Sequence, residues 1–255
     1  MFNYFKNKKT TCPIDEETRV WIEYAMQWLK VEFGEEFFQE TYVYSNLKEL
    51  LNDFEKENAN LKDLGEIISY IMFLENDNIS FSVYSEGQDS IKTKAGETQI
   101  ETYEDELTSG GMFVGKDENG VYNIGIERKL LNDPIHLTST ISHELSHIWL
   151  LEKKGMKEND EYLTDILPII FGLGVFGANS CFSFEQTTEG WSSKSKGYLN
   201  QMEWGYALAV YNWLRNDKNP EWIKSLPRNI QSDYKKSLNF MENNQDKLFE
   251  QKIEI

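Results

Sequence analysis

The sequence has few basic residues and no stripe rich in lysine or arginine. Across 255 residues, 26 lysines and arginines face 43 aspartates and glutamates, which leaves a formal net charge of −17 at pH 7. Because a phosphate backbone repels such a chain, we expect no nucleic-acid binding. The same field favours encounter with a neutral or basic partner.

Long apolar runs are also missing. The longest, Ile166–Ala178, is interrupted by Pro168 and by glycines, and it is too short to cross a bilayer. It therefore predicts buried core, and we expect no membrane contact. Residues Met1–Lys9 carry charge without a following apolar segment, so no secretory signal is visible and we expect a cytoplasmic protein.

Cysteine and histidine are scarce. Cys12 and Cys181 are isolated thiols without motif spacing, and nothing in a chain without a visible export signal supports a disulfide between them. The sequence has three histidines, and two of them, His143 and His147, share a single motif.

The sequence does have enough aromatic and apolar surface to fold, since 14% of its residues are aromatic and 40% are hydrophobic. Helical and alternating apolar patterns are mixed along the chain, which predicts an α+β fold. No repeat, low-complexity linker or composition break marks a second domain. We therefore expect one domain over residues 1–255, with helices plus a sheet in 1–130 and a largely helical part in 131–255.

The spacing of apolar residues predicts where the helices and strands lie. The Asn119-Gly120 step indicates a hairpin between the last two strands, and Asn46 and Glu49 have the spacing of a capping box. We predict helices over Glu16–Phe33, Asn46–Glu55, Leu61–Leu74, Asn200–Arg215, Pro220–Lys224 and Asn229–Lys247. We predict strands over Thr41–Ser45, Ile79–Ser85, Gln99–Tyr103, Met112–Gly115 and Val121–Glu127.

The most informative helix begins at Asp133-Pro134, where an N-cap residue precedes proline at the first helical position. It carries an HExxH match from His143 to His147. Imidazoles four residues apart lie on one helix face, so both can reach a single tetrahedral ion at roughly 2.0–2.1 Å. Glu144 is turned away from that ion but lies beside its water, where a general base must be. The competing interpretation is an amphipathic helix whose polar face carries two histidines by chance.

A catalytic zinc as a rule takes three protein ligands, so a third is needed. A histidine extension is absent, because Leu150 and Lys153 stand where a glycine and a histidine would be. Glu152 lies about half a turn from the histidine face. Glu158 and Asp160, in the loop that follows, are candidates.

Glu161 is the better candidate for the third ligand. It lies fourteen residues beyond His147, at the start of the next apolar helix, and Asp165 follows it by four residues on the same face. One carboxylate can then bind the metal while the other accepts the remaining N–H of a ligand histidine. Pro168 removes an amide partner of Thr164 and predicts a kinked or shortened helix. The competing interpretation is an acidic first turn that the helix dipole stabilises.

These residues resemble a known family. HExxH followed on a second helix by Glu161-x-x-x-Asp165 is similar to the gluzincin group of zinc metallopeptidases, in which the glutamate is the third ligand and the aspartate supports a histidine. A closer resemblance is to a little-characterised group of bacterial HExxH proteins, and it covers most of residues 110–215. Its features appear here as Asp133-Pro134, His143–His147, Glu161–Asp165, Phe171–Phe176, Ala178–Ser180, Gly197–Leu199 and Tyr206–Ala209.

The resemblance implies a zincin-like fold, in which a small mixed or antiparallel sheet packs on the HExxH helix, and one Zn²⁺ per chain. It implies a zinc-dependent hydrolase that cleaves peptide bonds in a peptide or protein substrate, with Glu144 as the general base. Gluzincins usually add a His or Tyr that stabilises the oxyanion, and Tyr198 and Tyr206 are candidates by position. The alternative is a zincin-fold binding or regulatory protein that retains zinc without significant peptidase activity.

The hairpin Met112–Glu127 immediately precedes the HExxH helix. In zincin-like folds an edge strand at this place pairs with the extended substrate by β-augmentation. Gly110-Gly111 would then leave backbone groups open to a peptide. The competing interpretation is an ordinary hairpin with a flexible entrance.

Overall fold

The computed structural model describes residues 10–85, 90–93, 96–99, 110–187, 190–195 and 198–250, and it has an α+β fold, as the mixed patterns predict. The helices before the central sheet are α1 Glu16–Phe33, α2 Glu35–Glu40, α3 Leu47–Asp53 and α4 Leu61–Ile71. The helices after it are α5 Pro134–His147, α6 Glu161–Ile170, α7 Gly174–Ser180, α8 Gln201–Arg215 and α9 Arg228–Asn243. Short 3₁₀ turns cover Arg128–Asn132, Glu221–Ser225 and Gln245–Lys247, and a π-helical segment, Ile148–Lys153, prolongs α5.

The described residues include the strands β1 Ile79–Tyr84, β2 Ser90–Thr93, β3 Gly96–Gln99, β4 Gly111–Lys116, β5 Tyr122–Glu127, β6 Phe182–Thr187 and β7 Gly190–Ser195. Three of these strands form a small mixed sheet in the middle of the chain. The sheet has the order β1-β5-β4, with β1 parallel and β4 antiparallel to β5. The pairs β2–β3 and β6–β7 form two separate antiparallel hairpins. The residue patterns in the sequence do not predict β6 and β7.

Most of the predicted elements are confirmed. Helix α1 has the predicted bounds, and β1, β4 and β5 lie in or within one residue of their predicted segments. Helix α4 ends at Ile71, before the predicted Leu74. The predicted strand Gln99–Tyr103 overlaps the described chain only at Gln99, the last residue of β3, and its remainder lies outside the described residues.

The predicted strand at Thr41–Ser45 is wrong. This segment is irregular and connects α2 to α3, and the N–H of Tyr44 donates to the carbonyl of Gly172 at 3.0 Å. Its tyrosines and valine are typical of strands, but β propensity reports how well a residue fits a half-buried surface rather than the presence of a pairing strand. Here the end of α6 provides that surface.

Six of the helices in the described residues begin with side-chain caps. Asn200 and Glu203 form a complete capping box at α8. The capping box predicted at α3 is half confirmed, because Asn46 accepts from the N–H of Glu49 at 3.0 Å. The carboxylate of Glu49 accepts instead from the N–H of Ser45, one residue before the expected donor.

Helix α5 lies at the centre of the core. Its apolar side, with Leu137, Ile141 and Leu145, is buried, and α4, α6, α7 and β4 pack around it. Every residue of β5 is buried, and the run Ile166–Ala178 is almost entirely core, as predicted. Among the helices of the described chain, none is long and apolar enough to cross a membrane.

Gly172→Ala tests the contact between the end of α6 and the segment before α3. Gly172 has φ of +78°, and an added Cβ would lie 1.9 Å from the carbonyl oxygen of Tyr42. We expect the free energy of unfolding to fall by about 3 kcal/mol, from left-handed backbone strain and from displacement of that segment. Urea denaturation with an unchanged m-value measures this loss.

Gly155→Ala is the matched control, because Gly155 also has a positive φ, +67°, but nothing lies within 4 Å of its added Cβ. Strain alone should lower the free energy of unfolding by about 1 kcal/mol. Equal losses in the two variants would show that the contact with Tyr42 contributes nothing.

Candidate metal centre

The HExxH residues lie on two adjacent turns of α5. Asp133 caps the helix and Pro134 occupies its first turn, as predicted. The rings of His143 and His147 lie one turn apart, with centroids separated by 5.2 Å. Glu144 and His147 are only 2% and 5% exposed. This burial does not fit a solvated polar face.

Helix α6 supplies the carboxylates. Asp160 caps it, Glu161 is its first residue, and Asp165 lies one turn further along. Pro168 lies inside the helix, which continues to Ile170. The predicted kink or shortening therefore does not remove Asp165 from the helix.

The structure brings His143, His147 and Glu161 together. Oε2 of Glu161 lies 3.1 Å from Nε2 of His143 and 3.8 Å from Nε2 of His147. The three candidate ligand atoms all lie within 4.8 Å of one another. Tetrahedral ligands at roughly 2.0–2.1 Å from an ion are separated by about 3.4 Å, so these atoms need to move little to bind one cation. Two imidazoles and a carboxylate also have the chemistry of a zinc site.

Asp165 orients the first histidine. Its Oδ1 lies 2.8 Å from Nδ1 of His143, and its Oδ2 accepts from the N–H groups of Tyr198 at 2.8 Å and Leu199 at 3.0 Å. Because an ionised carboxylate can only accept, Nδ1 carries the proton. This arrangement leaves Nε2 to face Glu161, as a metal-ligating histidine requires.

Burial and hydrogen bonds shift the pKa values of the three candidate ligands. Burial opposes protonation of His143, but its hydrogen bonds with Asp165 and Glu161 raise the pKa of His143 well above its ordinary value. Burial and the charge of His143 lower the pKa of His147 to about 4. Burial alone would raise the pKa of Glu161, yet its hydrogen bond with His143 lowers it. A cation therefore meets an ionised Glu161 and a neutral His147, and it must displace one proton from His143.

Glu144 lies beside the three ligands rather than among them. Its Oε2 is 3.9 Å from Nε2 of His147. Gly111, the first residue of β4, provides the space for this carboxylate, because an added Cβ would lie 2.5 Å from Oε1 of Glu144. Because Gly111 has no side chain, the carboxylate of Glu144 has room beside the first residue of the edge strand.

Three further side chains surround the centre, and no motif in the sequence predicts a role for two of them, Asn159 and Phe113. Asn159 donates to the second oxygen of Glu161. The ring of Phe113 stacks on that of His147, with centroids 5.7 Å apart. The ring of Tyr198 stacks on that of His143 at 6.1 Å, which keeps this candidate oxyanion donor next to the centre.

Other candidates lie elsewhere. Tyr206, the second candidate oxyanion donor, is fully buried, and its hydroxyl donates to Oε1 of Glu23 on α1 at 2.6 Å. Its hydroxyl is bound to α1 instead of facing the ligands, so the structure removes Tyr206 from the candidates. Glu152 and Glu158 are exposed, and Asp160 accepts from the N–H of Leu163. None of these three acids belongs to the ligand cluster found among the described residues.

Asp165→Asn tests the support of His143. An asparagine offers one oxygen, so it cannot serve both Nδ1 of His143 and the two N–H groups of Tyr198 and Leu199. We expect zinc affinity to fall by about 10- to 100-fold, measured by competition with a chelating dye. Asp160→Asn is the matched control, because asparagine is an equally good N-cap and the change in charge is the same. An unchanged affinity in Asp165→Asn would contradict the orienting role.

No model of a protein family matches this chain, and no curated protein or solved structure matches it either. The resemblance to the gluzincin group therefore rests on the motif residues alone. Membership of that group stays a prediction.

Proposed function

We propose that the protein is a zinc-dependent hydrolase with a zincin-like fold, and that it cleaves peptide bonds. The single observation that carries the proposal is the convergence of His143, His147 and Glu161, with the carboxylate of Glu144 beside them. A chance HExxH match requires neither the third ligand nor the oriented histidine. Both are features of catalytic zinc sites.

His143, His147 and Glu161 would hold one zinc ion per chain. When bound, zinc lowers the pKa of a water molecule and polarises a carbonyl group, which is the chemistry that amide hydrolysis needs. Three protein ligands leave a position for water or substrate, as in catalytic rather than structural sites. The asparagine contact to Glu161 and the aspartate contact to His143 hold the ligands in place.

Glu144 is the proposed general base. Its carboxylate takes the proton of the attacking water and passes it to the leaving amine. Its burial and the narrow space opposite Gly111 restrict it to positions near the ligands. Tyr198 is the remaining candidate for stabilising the oxyanion, because its ring stacks on His143.

The surroundings of the centre suit an extended peptide. A cleft of about 220 Å³ lies between β4 and the ligands, with Gly111, Phe113 and Asn159 in its walls. Strand β4 is at one edge of its sheet, and no strand among the described residues pairs with its outer side. An extended substrate can therefore add to this edge by main-chain hydrogen bonds. The charge of −17 favours a neutral or basic substrate.

Glu144→Gln is the direct test. We expect hydrolysis of a broad peptide library to fall by about 10²- to 10⁴-fold while the zinc content remains one per chain, because the amide cannot accept the proton. Mass spectrometry of the products and metal analysis are the measurements. Glu152→Gln, on the exposed side of the following turn, is the control and should leave both unchanged. Bound zinc without turnover in the wild type would favour the binding or regulatory alternative.

Gly111→Ala tests the position of Glu144 without changing any ionisable group. The added methyl would lie 2.5 Å from both Oε1 of Glu144 and Cγ2 of Thr140, so the carboxylate must move. We expect kcat to fall by about tenfold or more, because catalysis is sensitive to displacements near 1 Å. Zinc content should stay the same. An unchanged kcat would mean that the strand does not position the base.

A further inference from the structure

A second feature lies outside the metal centre, where α2, α3 and α4 meet. Two neighbouring surface cavities of about 370 and 670 Å³ share three residues, Tyr44, Phe54 and Tyr70. We call the two together the aromatic groove. The aromatic residues that line it are Phe37, Tyr42, Tyr44, Phe54, Tyr70, Phe73 and Phe171.

Three of these aromatic side chains are largely exposed to solvent. Tyr42, Tyr70 and Phe73 are 56%, 59% and 56% exposed. Folding does not explain this exposure, since burial of each ring would be favourable. A contiguous patch of this kind marks an interaction site more often than single exposed apolar residues do.

Phe73 is also held in an unfavourable backbone conformation. Its φ is +56°, in the left-handed region that a bulky residue seldom adopts. The ring nevertheless stays on the surface, with its centroid 5.4 Å from that of Phe37 and 5.9 Å from that of Phe171. This left-handed residue ends α4, where the N–H of Leu74 donates to the carbonyl of Ser69 at 2.7 Å, and a bulky side chain there costs roughly 1–2 kcal/mol of strain.

The charge around the rings has one dominant sign. Glu36 and Glu40 line the smaller cavity, which has no cationic residue in its walls. The larger cavity is lined by Asp53, Asp63, Glu66 and Lys56, and the ammonium group of Lys56 lies 2.8 Å from Asp63. The aromatic groove therefore presents ring faces together with five carboxylates and a single cationic side chain in its lining.

This combination selects the occupant. A second copy of the chain would bring the same acidic face, or another part of a chain with charge −17, against these carboxylates. An anionic membrane surface would be repelled for the same reason. Lysine and arginine side chains fit, because their aliphatic stems pack on the rings while their charged ends meet ring faces and carboxylates.

We propose that the aromatic groove binds a basic polypeptide segment, with its lysine or arginine side chains over Tyr70 and Phe73 and their charged ends near Glu36 and Glu40. The site is distinct from the cleft beside β4. Phe171 directly follows α6, whose first residue is Glu161, so the groove lies about 15 Å along that helix from the metal ligand. The proposal does not depend on hydrolysis.

Fluorescence anisotropy with a labelled peptide in which lysine alternates with alanine is the test. The protein carries Glu144→Gln, so that any peptidase activity cannot remove the probe. We expect the affinity to fall about tenfold when all the lysines of the peptide are replaced by glutamine. The affinity of the lysine peptide should also fall about tenfold when the salt concentration rises from about 0.05 M to about 0.5 M. Binding should be the same with and without zinc, which separates this result from the proposed activity.

Two pairs of variants locate the site. Tyr70→Ala with Phe73→Asn removes both rings, and asparagine tolerates the left-handed conformation; we expect about a tenfold loss of affinity. Met202→Ala, at an exposed residue of α8, is the apolar control.

Glu36→Gln with Glu40→Gln should weaken binding at least fivefold, because it removes two carboxylates of the groove. The control, Glu17→Gln with Glu242→Gln, changes the net charge equally at exposed positions of α1 and α9 and should leave binding unchanged.

The proposal is overturned if the lysine peptide does not bind, if its glutamine analogue binds equally well, or if the two glutamate pairs have the same effect. Light scattering measures the molar mass of the protein in solution and so tests whether a second copy of the chain occupies the groove instead. A dimer of the wild type that Tyr70→Ala with Phe73→Asn dissociates would show that the aromatic groove is an interface between copies, and would also overturn the proposal.

Discussion

The hydrogen bond between Asp165 and His143 holds three parts of the protein in register. One carboxylate oxygen fixes the imidazole on α5, and the other accepts from two backbone N–H groups just before α8. Because Asp165 lies one turn after Glu161, the same helix places both the carboxylate that orients His143 and the candidate third ligand. A shift of α6 along its axis would therefore break both contacts at once, which makes the geometry of the centre depend on the packing of α5 against α6. The structure thus couples the position of a ligand to the core rather than to a surface loop.

Charge explains why this part of the core is suited to a cation. Glu144, Glu161 and Asp165 bring three carboxyl groups to two imidazoles in a largely buried region. Without a metal, the proton on His143 offsets part of the negative charge, and the raised pKa of His143 reflects that role. Burying carboxylates without compensation is costly, so a divalent cation would replace one proton by two charges at a place where the chain already supplies the ligands. The acidic surroundings would therefore favour the proposed metal binding even before any ligand bond is considered.

Much of this arrangement follows from local sequence rules, and the remainder depends on contacts between distant segments. Spacing of four residues predicts that His143 shares a face with His147 and Glu161 with Asp165, and the Asp133 cap predicts the start of α5. The irregular course of Thr41–Ser45 depends on the carbonyl of Gly172, which no local pattern contains. Gly111 likewise matters only because β4 packs next to Glu144 in the folded chain. Tyr206 is not near the ligands as its sequence position predicts, because its hydroxyl donates to Glu23, which is far away in the sequence. Helical periodicity thus predicts which side chains share a face, but it does not predict which distant element that face meets.

The aromatic rings beside the histidines have a consequence for metal affinity. Phe113 stacks on His147 and Tyr198 on His143, while Asp165 fixes the first ring through its Nδ1. Imidazoles held in this way lose little conformational freedom when a ligand bond forms, so more of the bond energy is retained as affinity. The same restriction limits the cations that can bind, since a larger ion with six to eight oxygen ligands would need donors that these fixed rings do not provide. In the proposed zinc site, preference for a small tetrahedral ion would therefore depend on the rings that hold the two imidazoles as well as on the three ligands.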